Sequence, residues 1–369
     1  MIRVLSLKTN KDLLNAEKEK AVLRNEEFNR FCVSEKTVGK AAKPAISVVL
    51  ATKGNKLVLL ERCIKSLQNQ SFRDFEIVLI YKIFPEQLRG LFETCNIVTF
   101  KENLSTLGAA RNLGVKHAEG ELVAFIDDDA EAPENWLQNI YSTFQQYPSL
   151  VCLGGPHFTP QEESQKNPLR FVEGSFVESH MQKTFLDRSA IGKIAGCNVT
   201  YKKVIFDKIG YLNETWRSGE DWEFHRRLLE NGYNMRFDPQ ISVWHHRQGL
   251  KHVFQNSSKM VPFYLSWKTF KYSKYESLFA TYYLTSILSI FLLITLFISP
   301  FIFVFFLLFV LLGYFVFTAI RTKTYNWRII YYPLAILIIL VRLIGFYFGL
   351  CKYIGFKLHN RLAAFSRRR

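Results

Sequence analysis

The sequence predicts an α/β domain with a mainly parallel sheet, followed by an α-helical membrane region. Three observations predict it. Between residues 45 and 247, short apolar strand-type runs alternate with segments of helical periodicity, the pattern of strands joined by helical crossovers. From Leu278 to Ile320 there are 43 residues without one charge. Between these regions, residues 248–277 interleave Lys with Phe, Tyr and Trp, the composition of a membrane–water boundary.

The elements follow in order. Residues 1–44 are polar and charged, and Asp12 to Phe31 is expected to be a helix with Leu13, Leu14, Val22, Leu23 and Phe28 roughly on one face. Pro44 closes this extension. Ile46 to Ala51 reads as a strand, and Thr52-Lys53-Gly54-Asn55 as the loop after it. Leu57 to Gln70 has helical periodicity. Phe75 to Ile80 and Ile97 to Phe100 are further strands. Leu107 to Ala118 is a Gly- and Ala-rich helix, and Leu122 to Ile126 a strand that ends abruptly in Asp127-Asp128-Asp129. Ligands of such sheets sit at the carboxyl ends of the strands, and the three carboxylates lie at one of these ends.

Composition narrows the function classes. The formal charge is +16, and from Arg321 to Arg369 there are ten Lys or Arg and no Asp or Glu. This excess flanks an apolar tract rather than a nucleic-acid reading motif, so anionic lipid is the expected partner and nucleic acid is not. The six Cys are scattered, with no CxxC pair, so neither a zinc site nor a disulfide framework is expected and a reduced compartment fits. Met1 to Lys11 lacks the apolar core of a signal peptide.

A span needs about 20 residues, so 278–320 is expected to form a two-helix transmembrane hairpin that turns near Pro300. Ile329 to Leu350 is a third apolar segment, but it carries Pro333 and Arg342. A central Arg costs several kcal/mol in hydrocarbon. Arg321, Lys323 and Arg328 precede it, and Lys352, Lys357 and Arg367-Arg368-Arg369 follow it, so both flanks are expected to be cytoplasmic. Residues 321–369 are therefore expected to hold a re-entrant or in-plane helix and a basic cytoplasmic tail.

Three clusters suggest chemistry. Asp127-Asp128-Asp129 gathers like charges that repel, which favours a cation nearby; an oxygen-only cluster suits Mg²⁺ or Mn²⁺ with a phosphate ligand. An Asp-rich turn capping the next helix is the alternative. Gly219-Glu220-Asp221 opens a helical pattern that ends at Gly232, where acids could simply complement the helix dipole. Val243-Trp244-His245-His246 ends a short β-type run, and a His there could complete a metal shell or lie on the surface.

Taken in order with Leu107-Gly108-Ala109-Ala110-Arg111-Asn112-Leu113-Gly114 and Gly196-Cys197-Asn198, these clusters make residues 45–247 resemble the family 2 glycosyltransferases of GT-A fold. The tail resembles membrane-anchored polysaccharide-assembly members of that family. The resemblance implies an inverting transfer from a nucleotide-sugar to a hydroxyl of a lipid-linked or cell-surface glycan at the cytoplasmic membrane face. It implies that Asp129 and Asp127, with His245 or else His246 nearby, hold a divalent metal, Mn²⁺ or Mg²⁺. It implies Asp221 as general base and Glu220 as the residue that orients acceptor or base. Thr52, Asn55, Arg111, Asn112, Asp127, Asp128 and Asn198 fall to the donor. A UDP-sugar is the first expectation and a GDP-sugar the alternative.

One departure stands out. Where the family carries an acidic pair after the second strand, this chain has Ile80-Tyr81-Lys82-Ile83-Phe84. Tyr81 could stack on a base or Lys82 meet phosphate. The departure leaves open a different nucleotide or a silent membrane scaffold, and the membrane hairpin equally suits a polyprenyl-phosphate acceptor. A reporter fused after Arg369 is expected to be cytoplasmic; accessibility from outside the cell would overturn the in-plane reading.

Overall fold

The computed structural model describes residues 43–101, 106–172, 183–187, 190, 194–246, 249–259 and 331–366, with isolated positions between 299 and 312. The N-terminal helix expected at 12–31 lies outside the described residues. So do most of the interfacial segment and nearly all of the 278–320 hairpin.

From Pro44 the chain forms one unit. Strands β1 (Ile46–Thr52), β2 (Phe75–Tyr81), β3 (Ile97–Lys101) and β4 (Leu122–Asp127) pair in parallel in the order β3-β2-β1-β4. Helices α1 (Leu57–Gln68), α2 (Arg89–Phe92) and α3 (Leu107–His117) fall between them in sequence. Beyond β4 the sheet continues through β9 (Asn198–Lys202), β6 (Leu150–Gly154), β10 (Asn234–Phe237) and β8 (Phe185–Leu186). The sheet is mainly parallel, as expected, but β9 runs antiparallel to both β4 and β6. This reversal brings the start of β9, Asn198, beside Ile126 at the carboxyl end of β4.

Both faces of the sheet are covered, which is why its strands are continuous apolar runs rather than alternating ones. Ile46, Val48 and Leu50 of β1 pack with Leu60, Ile64 and Leu67 of α1 and with Trp136, Ile140 and Phe144 of α4 (Trp136–Gln146). Val49 and Phe125 look the other way, into a cluster with Ala110 and Val115 of α3. Phe206 of α6 (Val204–Ile209) and Phe224 and Leu228 of α7 (Glu220–Glu230) complete it. Helix α5 (Gln161–Lys166) has no buried residue.

A second, small sheet fixes the far end of the site. It joins β5 (Ala130–Glu131), β11 (Val243–His245) and β7 (His157–Phe158) in the order β5-β11-β7. His245 pairs with Ala130, and the His246 N–H donates to the Asp129 carbonyl over 2.8 Å.

After β11, helix α8 (Leu250–Lys259) packs on the long helix α9 (Tyr331–Ser366). Gly345 makes the close approach: a Cβ there would stand 2.5 Å from the Phe254 carbonyl oxygen. Leu337, Leu340, Ile344 and Phe348 of α9 are exposed and recur every three or four residues, so they form one apolar stripe. From Tyr331 on, the segment read as re-entrant or in-plane lies within a single continuous helix. Among the described residues no helix is long and apolar enough to cross a membrane.

His225, inside α7, is fully buried and shares a 2.8 Å hydrogen bond with the Tyr201 hydroxyl. Burial pushes its pKa down from 6.5 to about 4. The unfolded chain therefore takes up a proton that the folded chain refuses. Stability from this residue is complete above pH 6.5 and is lost as pH falls toward 4, up to a limit of about 3 kcal/mol. In melts across that window, His225→Gln is expected to lose less stability on acidification than the wild type. Parallel losses would place the acid sensitivity elsewhere.

Candidate active site

The site is assembled from four sequence-distant pieces. Parallel register pairs Ala51 with Asp127, so the end of β1 stands beside the acidic turn after β4. There the Thr52 hydroxyl donates to Asp128 Oδ2 over 2.7 Å and accepts from the Gly54 N–H. Lys56, at the start of α1, places its Nζ 2.7 Å from Asp129 Oδ2 and 3.8 Å from Asp128 Oδ1. The small sheet carries in His245, whose Nε2 lies 3.2 Å from Asp129 Oδ1 and 3.7 Å from Asp127 Oδ2.

The fourth piece is α7. Gly219 caps it with φ +83°, a left-handed conformation that glycine adopts without strain. Glu220 and Asp221 follow in its first turn. Glu220 turns inward and is 4% exposed; its Oε1 accepts from Arg111 Nη1 over 3.0 Å. Asp221 is half-buried. Its Oδ2 accepts from the Gly196 N–H over 2.7 Å, and its Oδ1 from the Trp222 N–H over 2.8 Å. Each of these oxygens keeps a further lone pair.

Arg111 joins the pieces. It rises from α3, buried, and gives Nη1 to Glu220 and Nη2 to both Asp127 Oδ1 and the Gly196 carbonyl, each over 2.8 Å for Nη2. Its Cζ also lies 5.4 Å from the centre of the Phe125 ring. Breaking a buried pair costs about 3–5 kcal/mol, whereas an exposed one is worth about 0–1 kcal/mol. Arg111 is therefore the ion pair that organises the centre, and the half-exposed Lys56 tunes its charge.

The carboxylates differ accordingly. Burial works to raise Asp127, but Arg111 and His245 hold it below its ordinary value. Asp129 is also buried, yet His245 and Lys56 hold it well below the carboxylate range. Asp128 has only Thr52 and a more distant Lys56 against its burial and is pushed up to about 6. Glu220 is pushed up to about 7 by burial and by Asp221, against the pull of Arg111.

Sequence-derived site residues thus fall into two groups. Thr52, Arg111, Asp127, Asp128, Asp129, Glu220, Asp221 and His245 come together. Asn112 and Asn198 do not offer free amides to the site. Asn112 is spent on the Leu212 backbone and Glu214. Asn198 donates to the Pro156 and Ile241 carbonyls and accepts from the Trp136 indole. Asn55 is exposed on the loop after β1. Tyr81 is buried, with its ring edge-on to Phe84 at 5.1 Å, so base stacking does not fall to it; Lys82 is exposed. Lys56 was missed, because a Lys one turn after a strand has no distinguishing local pattern.

Residues 47–210 match the family model described as Glycosyl transferase family 2. Over these residues the chain is similar to family 2 glycosyltransferase domains. Its architecture, an α/β domain with a mainly parallel sheet, is GT-A-like. A pre-mycofactocin glycosyltransferase of Mycobacterium tuberculosis (strain CDC 1551 / Oshkosh) is 27% identical over 146 residues, which are 39% of this chain and 31% of that protein. The GalNAc(5)-diNAcBac-PP-undecaprenol beta-1,3-glucosyltransferase of Campylobacter jejuni is 35% identical over 110 residues, 28% of this chain and 34% of that protein. The chain therefore spans about a third of the length of these curated relatives. A mannosyltransferase from Pyrobaculum calidifontis, solved with GDP-Man and Mn²⁺, superimposes with a TM-score of 0.46 at 17% identity, covering 68% of this chain and 73% of that one.

Gly196 makes a close approach to the centre: a Cβ there would stand 2.3 Å from Arg111 Nη1. Gly196→Ala is expected to cost about 1–3 kcal/mol by displacing the guanidinium. Gly90→Ala, where a Cβ meets nothing within 4 Å, should cost nothing or stabilise slightly. Paired denaturant melts check this, and equal midpoints would show that Arg111 yields freely.

Proposed function

We propose that the domain is a metal-dependent, inverting glycosyltransferase that moves a sugar from a nucleotide-sugar to a hydroxyl of a lipid-linked glycan. The observation that carries this reading is the union of two carboxylate centres through one buried guanidinium. Arg111 bonds both Asp127 of the acidic turn and Glu220, the neighbour of Asp221. A donor's diphosphate and an acceptor's hydroxyl would then be held in one frame, which supplies proximity and orientation.

The acidic turn fits a hard divalent ion. Asp127, Asp129 and His245 supply oxygen and imidazole donors, and Lys56 already places a cation against Asp129. Asp129 and His245 would hold the ion, which when bound neutralises charge on the departing nucleoside diphosphate. Asp221 is the base: a half-buried carboxylate with lone pairs to spare takes the acceptor's proton as the hydroxyl attacks the anomeric carbon. The Gly196 N–H fixes the carboxylate's orientation. Glu220 keeps Arg111 in place. Thr52 holds Asp128 at the donor side. A single displacement of this kind inverts the anomeric centre.

The acceptor class is supported by the Campylobacter relative, named for a PP-undecaprenol-linked substrate. A membrane position for the catalytic face is supported by the charge-free tract at 278–320, the basic flanks and the apolar stripe on α9. The bilayer face would be cytoplasmic.

Nucleoside diphosphate release by the detergent-purified chain, across a panel of UDP- and GDP-sugars with Mn²⁺ or Mg²⁺ and a lipid-linked acceptor, tests the proposal. One donor is expected to give turnover that chelation abolishes. Asp221→Asn is expected to lower turnover by about 10²-fold or more while donor binding persists. Near-normal turnover in that variant would remove Asp221 as the base, and silence across the panel would remove the activity.

A further inference from the structure

The acidic centre contains a side chain that the proposed transfer does not use. Cys197 is 6% exposed, and a ligand atom from each of Asp127, Cys197 and His245 lies within 4.8 Å of the others. Nothing in the spacing of the six cysteines points to this; the reversed strand β9 and the small sheet bring the three residues together.

We propose that Asp127, Cys197 and His245 form a binding site for a thiophilic divalent cation, Zn²⁺ or Co²⁺, sharing His245 and Asp127 with the hard-ion site. The donor set is one carboxylate oxygen, one imidazole nitrogen and one sulfur. Such a mixture ranks zinc and cobalt above magnesium or manganese, whose sites are built of oxygen. Bond lengths of about 2.0–2.3 Å in a tetrahedron put ligand atoms about 3.5 Å apart. The observed separations, within 4.8 Å, are about 1 Å wider than that.

The thiol is also held in place. Its two neighbours are anchored: Gly196 through Asp221 and Arg111, and Asn198 through Pro156, Ile241 and Trp136. Asp127 has its Oδ1 committed to Arg111, which leaves Oδ2 on the side of His245. His245 is fixed by its strand register with Ala130. Three ligands from three anchored elements leave a fourth position for water. Metal binding replaces the thiol S–H bond with a sulfur–metal bond and releases the proton to solvent. The consequence for transfer, competition between Zn²⁺ and the hard ion, rests on the proposed function; the binding itself does not.

The test is Co²⁺ titration of the full chain in detergent, without donor, followed by absorption spectroscopy. Thiolate-to-cobalt charge transfer in the near ultraviolet and intense tetrahedral bands in the visible are expected, and one equivalent of Zn²⁺ should bleach both. Cys197→Ser is expected to lose the charge-transfer band and weaken Zn²⁺ binding about tenfold or more, since even outer-shell losses at metal sites cost that much. Cys351→Ser, at an exposed position on α9, is expected to leave the spectrum intact. Asp129→Asn is expected to keep the thiolate band while losing Mn²⁺, which separates this site from the metal of the proposed transfer. A wild-type spectrum without the band, or a band that survives Cys197→Ser, would overturn the proposal; a melt of that variant matching wild type shows that it is folded.

Discussion

The centre depends on one buried guanidinium. Arg111 compensates Asp127 and Glu220 and ties down the Gly196 carbonyl. Without it two carboxylates would face each other across a desolvated space, and one would have to take up a proton. Its own environment is as constrained: α3 carries it, Phe125 covers one face, and a Cβ at residue 196 would push on the guanidinium. Strand, helix and loop thus meet at a single side chain.

Around that fixed pair the remaining charges are graded. Asp129 has two cationic or hydrogen-bonding partners and stays ionised; Asp128 has a hydroxyl and a more remote ammonium and is pushed up to about 6. Three adjacent residues of one type therefore differ in acidity because their neighbours differ. Lys56 is the neighbour that makes most of the difference at Asp129 after His245. It also places a positive charge where the proposed diphosphate would arrive.

Much of this was legible in the sequence, for identifiable reasons. β1, β2 and β4 are continuous apolar runs ending in turn residues, so the parallel half of the sheet and the acidic turn at its edge follow from local pattern. Glu220-Asp221 follows from the helix start after Gly219. What could not be read is long-range register. Asn112 and Asn198 sit in motifs that suggest ligand contact, yet both are consumed by backbone groups about 40 to 100 residues away. The same limit hid Lys56 and Cys197, whose significance comes from partners on other strands. Tyr81 shows the converse: it sits where a base contact is expected, but strand alternation turns its ring into the core with Phe84.

The reversal of β9 has a further effect. Because it starts where its neighbours end, two kinds of backbone meet along one rim: strand exits from β1, β2 and β4, and a strand approach into β9. The exits are locked together by parallel register, so a substitution in one is felt by the next. The approach is held mainly by its last residues, Gly196 and Asn198. The two halves of the rim are tied at one place, where Asn198 pairs with Ile126 and Arg111 bonds both Asp127 and the Gly196 carbonyl. A change on either side of that tie is therefore felt on the other.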